Sequence, residues 1–467
     1  MNFVSGGFLW FFVATYIVYW VIPSNLWRGA FLVIMSYAFY ASWNWRYCGL
    51  MILVTANAYL AGLFIRRLGR RMVLAISIAT SLSVLGVFKY FGFLARSASS
   101  LLSVLGYHPR FPIPEWVLPV GISFYTFHAI SYVVDVYRGK VEREINPVRV
   151  ALYIAFFPQL IAGPITRASF FLPQLRSKRP FLPTQQAQGL GLFVRGVLYK
   201  AVIADTFAGI CDPVYQNVRK FNGHALVNAA FAFYGQIYFD FAGYSLMAIG
   251  AARILGYRIP KNFNYPYASV SLTEFWRRWH MSLSFWLRDY LYIPLGGNRG
   301  SRFAHYRNIM ITMLLGGLWH GAAWTFVVWG FLHGVGLWAH KIWLDARRTL
   351  GLRKTGQFGY LVALLLTQSW VLVAWVFFRA RSFGDSWRVI RALGSWRSYL
   401  GFTVTDAALW VIVLVVIDHT TAVMVPPLTR LPRAISRPVV WLGVGVVVAL
   451  ILMLVVQTQK PFIYFQF

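Results

Sequence analysis

Two histidines lie in strongly apolar sequence and are the residues best suited to chemistry. His320 lies in the motif WHGA, inside an apolar run from Ile309 to Trp329 that is long enough to cross a bilayer. His280 follows the motif WRRW. Because an ionisable side chain at membrane depth is costly, such a residue usually faces a cavity, a partner or a substrate path. A neutral, desolvated imidazole can take a proton from an attacking hydroxyl, so the pair predicts acid–base chemistry inside a membrane.

The composition predicts a polytopic membrane protein. Of the 467 residues, 58% are hydrophobic and 12% are charged, against roughly 25% charged in soluble domains. The net charge of +31 comes from 44 Lys and Arg against 13 Asp and Glu, and these basic residues lie mostly in short tracts between apolar segments. The positive-inside rule explains much of that excess, so no nucleic-acid partner is predicted. Two cysteines, Cys48 and Cys211, form neither a disulfide framework nor a zinc site, and no metal is predicted.

The apolar segments predict an all-α fold of about a dozen transmembrane or re-entrant helices. Segment 262–307 is irregular and rich in proline, glycine and arginine, which predicts short interfacial or re-entrant helices that line a cavity. No internal repeat is visible, so residues 1–467 are expected to form one domain. The predicted spans lie near 7–23, 29–43, 47–65, 72–95, 116–134, 149–165, 189–210, 225–250, 308–329, 359–378, 407–425 and 438–457.

Basic tracts predict the orientation of these spans. Tract 66–71 carries four arginines after the third span, and tract 430–437 carries three before the last. Both loops are therefore expected in the cytoplasm, which places the N-terminus and the C-terminus outside. The basic residues of tract 347–354 fit the same scheme.

Six motifs in fixed order resemble the membrane-bound O-acyltransferase family. They are FPQLIAGP at 157–164, YFDFAGY at 238–244, EFWRRWH at 274–280, WLRDY at 286–290, PLGGNR at 294–299 and LWHGA at 318–322. The resemblance runs from about residue 118 to the end and is greatest to the subgroup that O-acetylates alginate, other exopolysaccharides and peptidoglycan. The sequence departs from it at Leu246, where relatives often have an aspartate.

The resemblance implies a helical membrane enzyme in which a cytoplasmic funnel meets an outer pocket at a histidine. His320 matches the family's essential histidine and His280 matches its usual partner. For His320 the alternative is a structural imidazole bonded to a carbonyl, and for His280 it is an interfacial anchor beside Trp279. His128 and His333 are weaker candidates, because neither has irregular sequence around it.

The resemblance also implies acetyl-CoA as the acyl donor, with no bound cofactor. Guanidinium groups match phosphate geometry, so the arginines of the irregular region are candidates to bind the phosphates of the donor. An equally weighted alternative is that these arginines only set the topology of the loop or extend their charged ends to the membrane surface. Asp289 beside Arg288, and Glu274 near Arg278, are also expected as structural ion pairs. The predicted substrate-binding set is Arg277, Arg278, Arg288, Asp289, Asn298, Arg299 and Trp319.

The tail 460–467 has the form F-x-Y-x-x-F, with Tyr464 at its centre. It resembles a C-terminal tail of this superfamily whose tyrosine is proposed to carry the acyl group, so Tyr464 is the third predicted catalytic residue. The alternative is an aromatic belt at the outer membrane interface.

These features predict an O-acetyltransferase of the bacterial inner membrane that moves acetyl from cytoplasmic acetyl-CoA to an extracellular alginate- or cellulose-like polysaccharide. The expected partners are an extracytoplasmic O-acetyltransferase, an exopolysaccharide synthesis and secretion complex, and membrane lipid. Alternatives are D-alanyl or peptidoglycan acyl transfer by the same fold, or a transporter or flippase with a histidine proton relay. The last of these lacks the inverted repeats that such folds often carry.

Overall fold

The computed structural model describes residues 1–65, 69–108, 117–351, 356–400, 403 and 406–424. Every regular element in these ranges is a helix, which confirms the all-α prediction for this part of the chain. The chain divides into two compact units, and two of the boundaries between them fall within helices. Unit 1 comprises 1–193 and 247–260, and unit 2 comprises 194–246 with the described residues from 261 onward. The prediction of a single domain stays a prediction.

Helices α1 to α10 begin in unit 1. Two of them, α2 and α3, form a hairpin because the backbone of Asn44 is extended (φ −160°, ψ 108°) and its side chain accepts a hydrogen bond from the Arg46 N–H. The Cys48 sulfur consequently comes within 3.9 Å of the Tyr37 carbonyl oxygen. The ten helices are α1 Gly6–Val21, α2 Asn25–Asn44, α3 Cys48–Phe64, α4 Arg70–Leu85, α5 Phe91–Val104, α6 Ile122–Tyr137, α7 Pro147–Ala155, α8 Phe157–Leu160, α9 Ala168–Arg176 and α10 Pro183–Val197.

Helices α11 to α19 begin in unit 2. A π-helical segment, Leu198–Ala204, joins α10 to α11, and another, Arg288–Tyr292, continues α14. The short helices α13 and α14 lie in the irregular region 262–307, where short helices were predicted. The nine helices are α11 Asp205–Gln216, α12 Gly223–Ile254, α13 Leu272–Arg278, α14 Met281–Leu287, α15 Arg302–His320, α16 Trp324–Thr349, α17 Gln357–Arg379, α18 Phe383–Gly394 and α19 Ala407–Met424.

Three helical stretches of the described chain are long and apolar enough to cross a membrane. They are Asn25–Phe64, which turns at Asn44, and Arg70–Val104 and Gln357–Arg379. Large apolar side chains are exposed on each, including Ile34, Met72 and Leu366, as expected for surfaces that face lipid. The arrangement of about a dozen spans around a central funnel stays a prediction.

Two of the predicted spans are wrong as single helices. The run 149–165 breaks at Phe156, where ψ is 109°, and the break puts Pro158 in the first turn of α8, where its missing N–H costs nothing. The run 308–329 breaks between α15 and α16, because Gly321 and Ala323 are both extended. His320 is therefore the last residue of a helix and not the middle of one.

Glycines let α15 and α16 meet backbone to backbone. A Cβ on Gly317 would lie 2.2 Å from the Phe326 carbonyl oxygen, and one on Gly330 would lie 2.3 Å from the Met313 carbonyl oxygen. Any larger side chain at either position would separate the two helices. This pair forms a tight hairpin whose turn follows His320 directly.

Candidate active site

His320 is held at the end of α15 by the turn that follows it. The chain leaves the helix at Gly321, whose N–H still donates to the Gly317 carbonyl oxygen. A Cβ on Gly321 would lie 2.1 Å from the ring of Phe326, so only glycine fits between the histidine and α16. The imidazole of His320 is 5% exposed. The local sequence therefore fixes both the position and the burial of this side chain.

Aromatic rings from three helices surround His320. The ring centroids of Trp319 and Trp329 each lie 4.9 Å from the imidazole centroid, and that of Phe378 lies 5.3 Å away. Phe326 packs edge-on against Phe378 at 4.9 Å. These rings leave His320 in a largely apolar environment.

His280 occupies a strained position between α13 and α14. Its φ of +41° and ψ of +51° lie in the left-handed region, which a residue with a side chain rarely adopts. The side chain is fully buried, and neither ring nitrogen has a hydrogen-bond partner within the described residues. Backbone strain of this kind clusters at active sites, and an unsatisfied buried polar group is consistent with a catalytic role.

Asn262 holds the turn at His280, and the sequence analysis did not identify it. Its carbonyl oxygen accepts the Met281 N–H at 2.8 Å, and its Oδ1 accepts the Ser282 hydroxyl at 2.8 Å. Its Nδ2 donates to the hydroxyl of Ser245 on α12 at 3.0 Å. A lone asparagine in an irregular segment gives no signal of this role, because its partners are close in space and distant in sequence.

The structure brings the two predicted catalytic histidines together. The imidazole centroids of His280 and His320 lie 6.3 Å apart, with 65° between the ring planes. The ring centroid of Trp319 lies 5.9 Å from that of His280, and that of Phe241 in the motif YFDFAGY lies 4.6 Å from it. Two imidazoles at this separation can act on the same reacting group. Their catalytic role stays a prediction.

A third histidine, His333, belongs to the same aromatic cluster. It is fully buried, its ring centroid lies 4.7 Å from that of Trp329, and its Nδ1 accepts the indole N–H of Trp276 at 3.3 Å. The regular sequence around it made it a weak candidate, although its spacing of four residues from Trp329 predicts a shared helix face. His128 is different, because its Nε2 accepts the Thr166 N–H at 3.0 Å within unit 1, as a structural histidine does.

Of the predicted substrate-binding set, Trp319 contacts both histidines, whereas the charged and amide members are in ion pairs or exposed. Arg278 pairs with Glu274 at 2.6 Å, and Arg288 pairs with Asp289 at 2.7 Å, so both expected ion pairs exist. The other polar members of the set, Arg277, Asn298 and Arg299, are exposed. A role for any of them in binding substrate stays a prediction.

Asn298 lines a cavity of about 420 Å³ in unit 2. Arg302, His305, Lys341 and Arg348 contribute cationic or titratable groups to the same walls. This cavity lies at the first turns of α15, at the opposite end of that helix from His320. Within the described ranges, no group of three or more His, Cys, Asp or Glu side chains could hold a metal ion.

Tyr464 and the tail 460–467 lie outside the described residues, as do Arg66 and Arg67 of the third-span tract and all of tract 430–437. The tyrosine carrier and the orientation of both termini therefore stay predictions.

Comparison with known proteins agrees with the motifs. The family described as MBOAT, membrane-bound O-acyltransferase family, matches residues 140–380, which include both histidines. A probable alginate O-acetylase of Pseudomonas aeruginosa is 41% identical over 85% of this chain and 76% of its own length. A probable alginate O-acetylase of Azotobacter vinelandii is 38% identical over the full length of both chains. A peptidoglycan O-acetyltransferase of Helicobacter pylori is 34% identical over 84% of this chain and 77% of its own. The chain thus belongs to the membrane-bound O-acyltransferase family and is an integral membrane acyltransferase.

Proposed function

We propose that this protein is a membrane O-acetyltransferase that takes acetyl from cytoplasmic acetyl-CoA and delivers it across the bacterial inner membrane. The final acceptor is an extracellular polysaccharide of the alginate or cellulose type. The observation that carries the proposal is the buried pair His280 and His320, with 6.3 Å between ring centroids. The names of the two alginate relatives support the choice of acceptor.

His320 acts as the general base in this proposal. Its neutral ring takes the proton of an acceptor hydroxyl while the oxygen attacks the thioester carbonyl carbon. The C–S bond then breaks, the thiolate receives that proton to form free coenzyme A, and the acetyl group is left as an oxygen ester. A positioned base of this kind contributes roughly 10²–10⁴ to the rate.

His280 stabilises the charge that forms on the carbonyl oxygen. Both of its ring nitrogens are without a hydrogen-bond partner in the described part of the chain, so an N–H is available to a substrate oxygen. The rings of Phe241 and Trp319 pack against this imidazole and hold it before substrate arrives. A preorganised donor aimed at a developing oxyanion is worth about 2.7–4 kcal/mol in enzymes where one has been removed.

The aromatic rings around His320 keep water from the thioester. Trp329 and Phe378 are almost fully buried, and Trp319 is largely so. Exclusion of water matters because hydrolysis of acetyl-CoA competes with transfer to a hydroxyl.

The proposed acyl carrier is Tyr464, because an aryl ester is activated and its onward transfer to a sugar hydroxyl runs downhill. In this scheme the N- and C-termini lie on the extracytoplasmic side of the membrane. An extracytoplasmic transferase of the exopolysaccharide machinery receives the acetyl group there. The variant Tyr464→Phe keeps the ring and its preference for the interface and loses only the hydroxyl. We expect it to stop polymer acetylation while acetyl-CoA binding survives. Full activity of this variant would refute the carrier.

The acetyltransferase proposal is tested by labelled acetyl-CoA supplied to purified protein in nanodiscs, with release of free thiol and labelling of the acceptor as readouts. We expect His320→Ala to lower the transfer rate by about 10²–10⁴ without loss of folded protein. His280→Ala is expected to be slower than wild type as well. The matched control is His108→Ala, since His108 is exposed and lies in unit 1.

The same assay separates the alternatives. A transporter with a histidine relay would show neither thiol release nor acceptor labelling. A protein that transfers to peptidoglycan, as the Helicobacter pylori relative's name indicates, would label muropeptides in place of exopolysaccharide. Wild-type transfer by His320→Ala would overturn the mechanism.

A further inference from the structure

The acidic residue of the motif YFDFAGY belongs to a buried ion triad. Asp240 on α12 lies 2.7 Å from the ammonium nitrogen of Lys200, and the same nitrogen lies 2.8 Å from Asp205, the first residue of α11. The side chains of Lys200 and Asp240 are each 2% exposed. Lys200 lies in the π-helical segment that joins α10 to α11, so its pair with Asp240 fastens that segment to α12. Because a charge this deeply buried is costly without a partner, the two side chains hold the segment and the helix together.

A glycine one turn further along α12 brings the same two backbones into contact. A Cβ on Gly243 would lie 2.7 Å from the Gly196 carbonyl oxygen and 3.0 Å from the backbone nitrogen of Lys200. Asp240 and Gly243 are three residues apart, so they lie on one face of α12. That face is therefore held by an ion pair and by close backbone contact, which together restrict any shift or rotation of the helix at this point.

A neighbouring face of the same turns of α12 meets His280. The ring centroid of Phe241 lies 4.6 Å from the imidazole centroid. Four residues later on the same face, the Ser245 hydroxyl accepts a hydrogen bond from Asn262 Nδ2 at 3.0 Å, and Asn262 holds the turn at His280. Phe241 follows Asp240 directly and so lies about 100° from it around the helix axis. The ion pair on one face of α12 thus fixes the position from which the next face contacts the turn at His280.

We propose that Asp240 is a positioning residue for the acyl-transfer reaction. Its ion pair with Lys200 sets the position of α12, and α12 in turn keeps Phe241 against His280. The inference rests on the proposed acetyltransferase function, in which the imidazole of His280 donates to the developing oxyanion, and Asp240 controls the alignment of that donor. Asp205 lies on α11 and not on α12, so it pairs with Lys200 without taking part in this chain of contacts.

The test compares the two carboxylates that share one lysine. Asp240→Asn and Asp205→Asn each remove one negative charge, keep nearly the same side-chain volume and leave Lys200 paired with the remaining acid, so both are expected to fold. Acetyl transfer is measured in nanodiscs, and the rate is expressed per folded molecule. We expect Asp240→Asn to lower kcat by roughly tenfold or more with KM for acetyl-CoA unchanged, because a misplacement of about 1 Å at a reacting group can cost about 10²-fold. Asp205→Asn is the matched control and should keep the wild-type kcat.

A second comparison asks whether the effect passes through His280. Asp240→Asn is combined with His280→Ala, which removes the oxyanion donor. The double variant should have the same kcat as His280→Ala alone, because two changes in one chain of contacts are not additive. Phe241→Leu supplies an independent variant, since it removes the ring from His280 without changing any charge. We expect it to lower kcat with KM unchanged, and it decides the question if Asp240→Asn does not fold.

Three outcomes would overturn the inference while the acetyltransferase proposal stands. Equal changes of kcat in Asp240→Asn and Asp205→Asn would show that the triad only stabilises the fold. A further loss of kcat in the double variant, beyond that of His280→Ala, would show that Asp240 acts by another route. An unchanged kcat in Phe241→Leu would show that this ring does not hold His280. The acetyltransferase proposal is tested separately, by transfer in wild type and its loss in His320→Ala.

Discussion

The contact between α15 and α16 can be tested by one methyl group. In Gly317→Ala the new Cβ would lie 2.2 Å from the Phe326 carbonyl oxygen, whereas the shortest ordinary carbon–oxygen contact is about 3.3 Å. The obstacle is backbone, so no rotamer change relieves it, and the two helices must separate by about 1 Å. His320 lies one turn further along α15 and must move with the helix.

The expected size of the effect follows from that displacement. Overpacking of a close interface typically costs about 1–3 kcal/mol of stability. A misplacement of about 1 Å at a catalytic group can cost about 10²-fold in rate. We therefore expect Gly317→Ala to fold with a lowered melting temperature and to transfer acetyl about a hundredfold more slowly.

The assay measures thermal unfolding in detergent and acetyl transfer in nanodiscs on the same preparation. Gly209→Ala on α11 is the matched control, because a Cβ there meets nothing within 4 Å. A Gly→Ala change at such a site stabilises a helix by roughly 0.4–1 kcal/mol. If Gly317→Ala melts and works like wild type while the control behaves as expected, α15 and α16 are not in backbone contact and the argument is refuted.

Two further predictions concern side-chain networks. Asn262→Ala removes the acceptor for Ser282 and the donor to Ser245, so we expect a fall in kcat through His280 with little change in KM for acetyl-CoA. Because unfolded protein would also lower the apparent kcat at constant KM, the rate is expressed per folded molecule, and an unchanged rate on that basis would contradict the role of Asn262. Glu144→Gln should lower the melting temperature at pH 7, and its difference from wild type should shrink as pH falls below 4.5. Burial raises the pKa of Glu144, but hydrogen bonds from Arg176 and the Asn146 N–H, together with the nearby arginine charges, lower it below the ordinary value of 4.5. The carboxylate therefore contributes to the stability of the fold above pH 4.5, and this contribution is lost as pH falls through the lowered pKa. A difference between Glu144→Gln and wild type that keeps the same size as pH falls below 4.5 would exclude this explanation.

The motifs predicted the two catalytic candidates because each histidine lies in a short sequence of unusual composition. They did not predict the break after His320. The run 309–329 is apolar throughout, and hydropathy cannot distinguish one helix that crosses a membrane from two that turn back on each other. The break depends on the fit of Gly317 and Gly321 against Phe326, and a contact of that kind is visible only in three dimensions.

The strain at His280 was also beyond sequence analysis. Positive φ is uncommon outside glycine, and the enrichment of asparagine, aspartate and histidine there is too small to predict it at any one histidine. The positive φ of His280 arises because the Asn262 carbonyl oxygen fixes the backbone at Met281, while Trp279 ends α13 in an extended conformation. The family motif indicated that a histidine is required here, and the structure adds why the position holds it rigidly.

The end of α15 reconciles two demands on His320 that conflict elsewhere. Before reaction a general base must be neutral, and the apolar rings of Trp319, Trp329 and Phe378 lie against this imidazole. After proton transfer the ring is a cation, and the same apolar surroundings oppose it. The C-terminal end of a helix carries a partial negative charge that stabilises a nearby cation by typically 0.3–1 kcal/mol, and more where the site is partly buried. A continuous helix through 309–329 would bury the imidazole away from any helix C-terminus. The break after His320 therefore supplies the partial negative charge that stabilises the proposed base once it carries a proton.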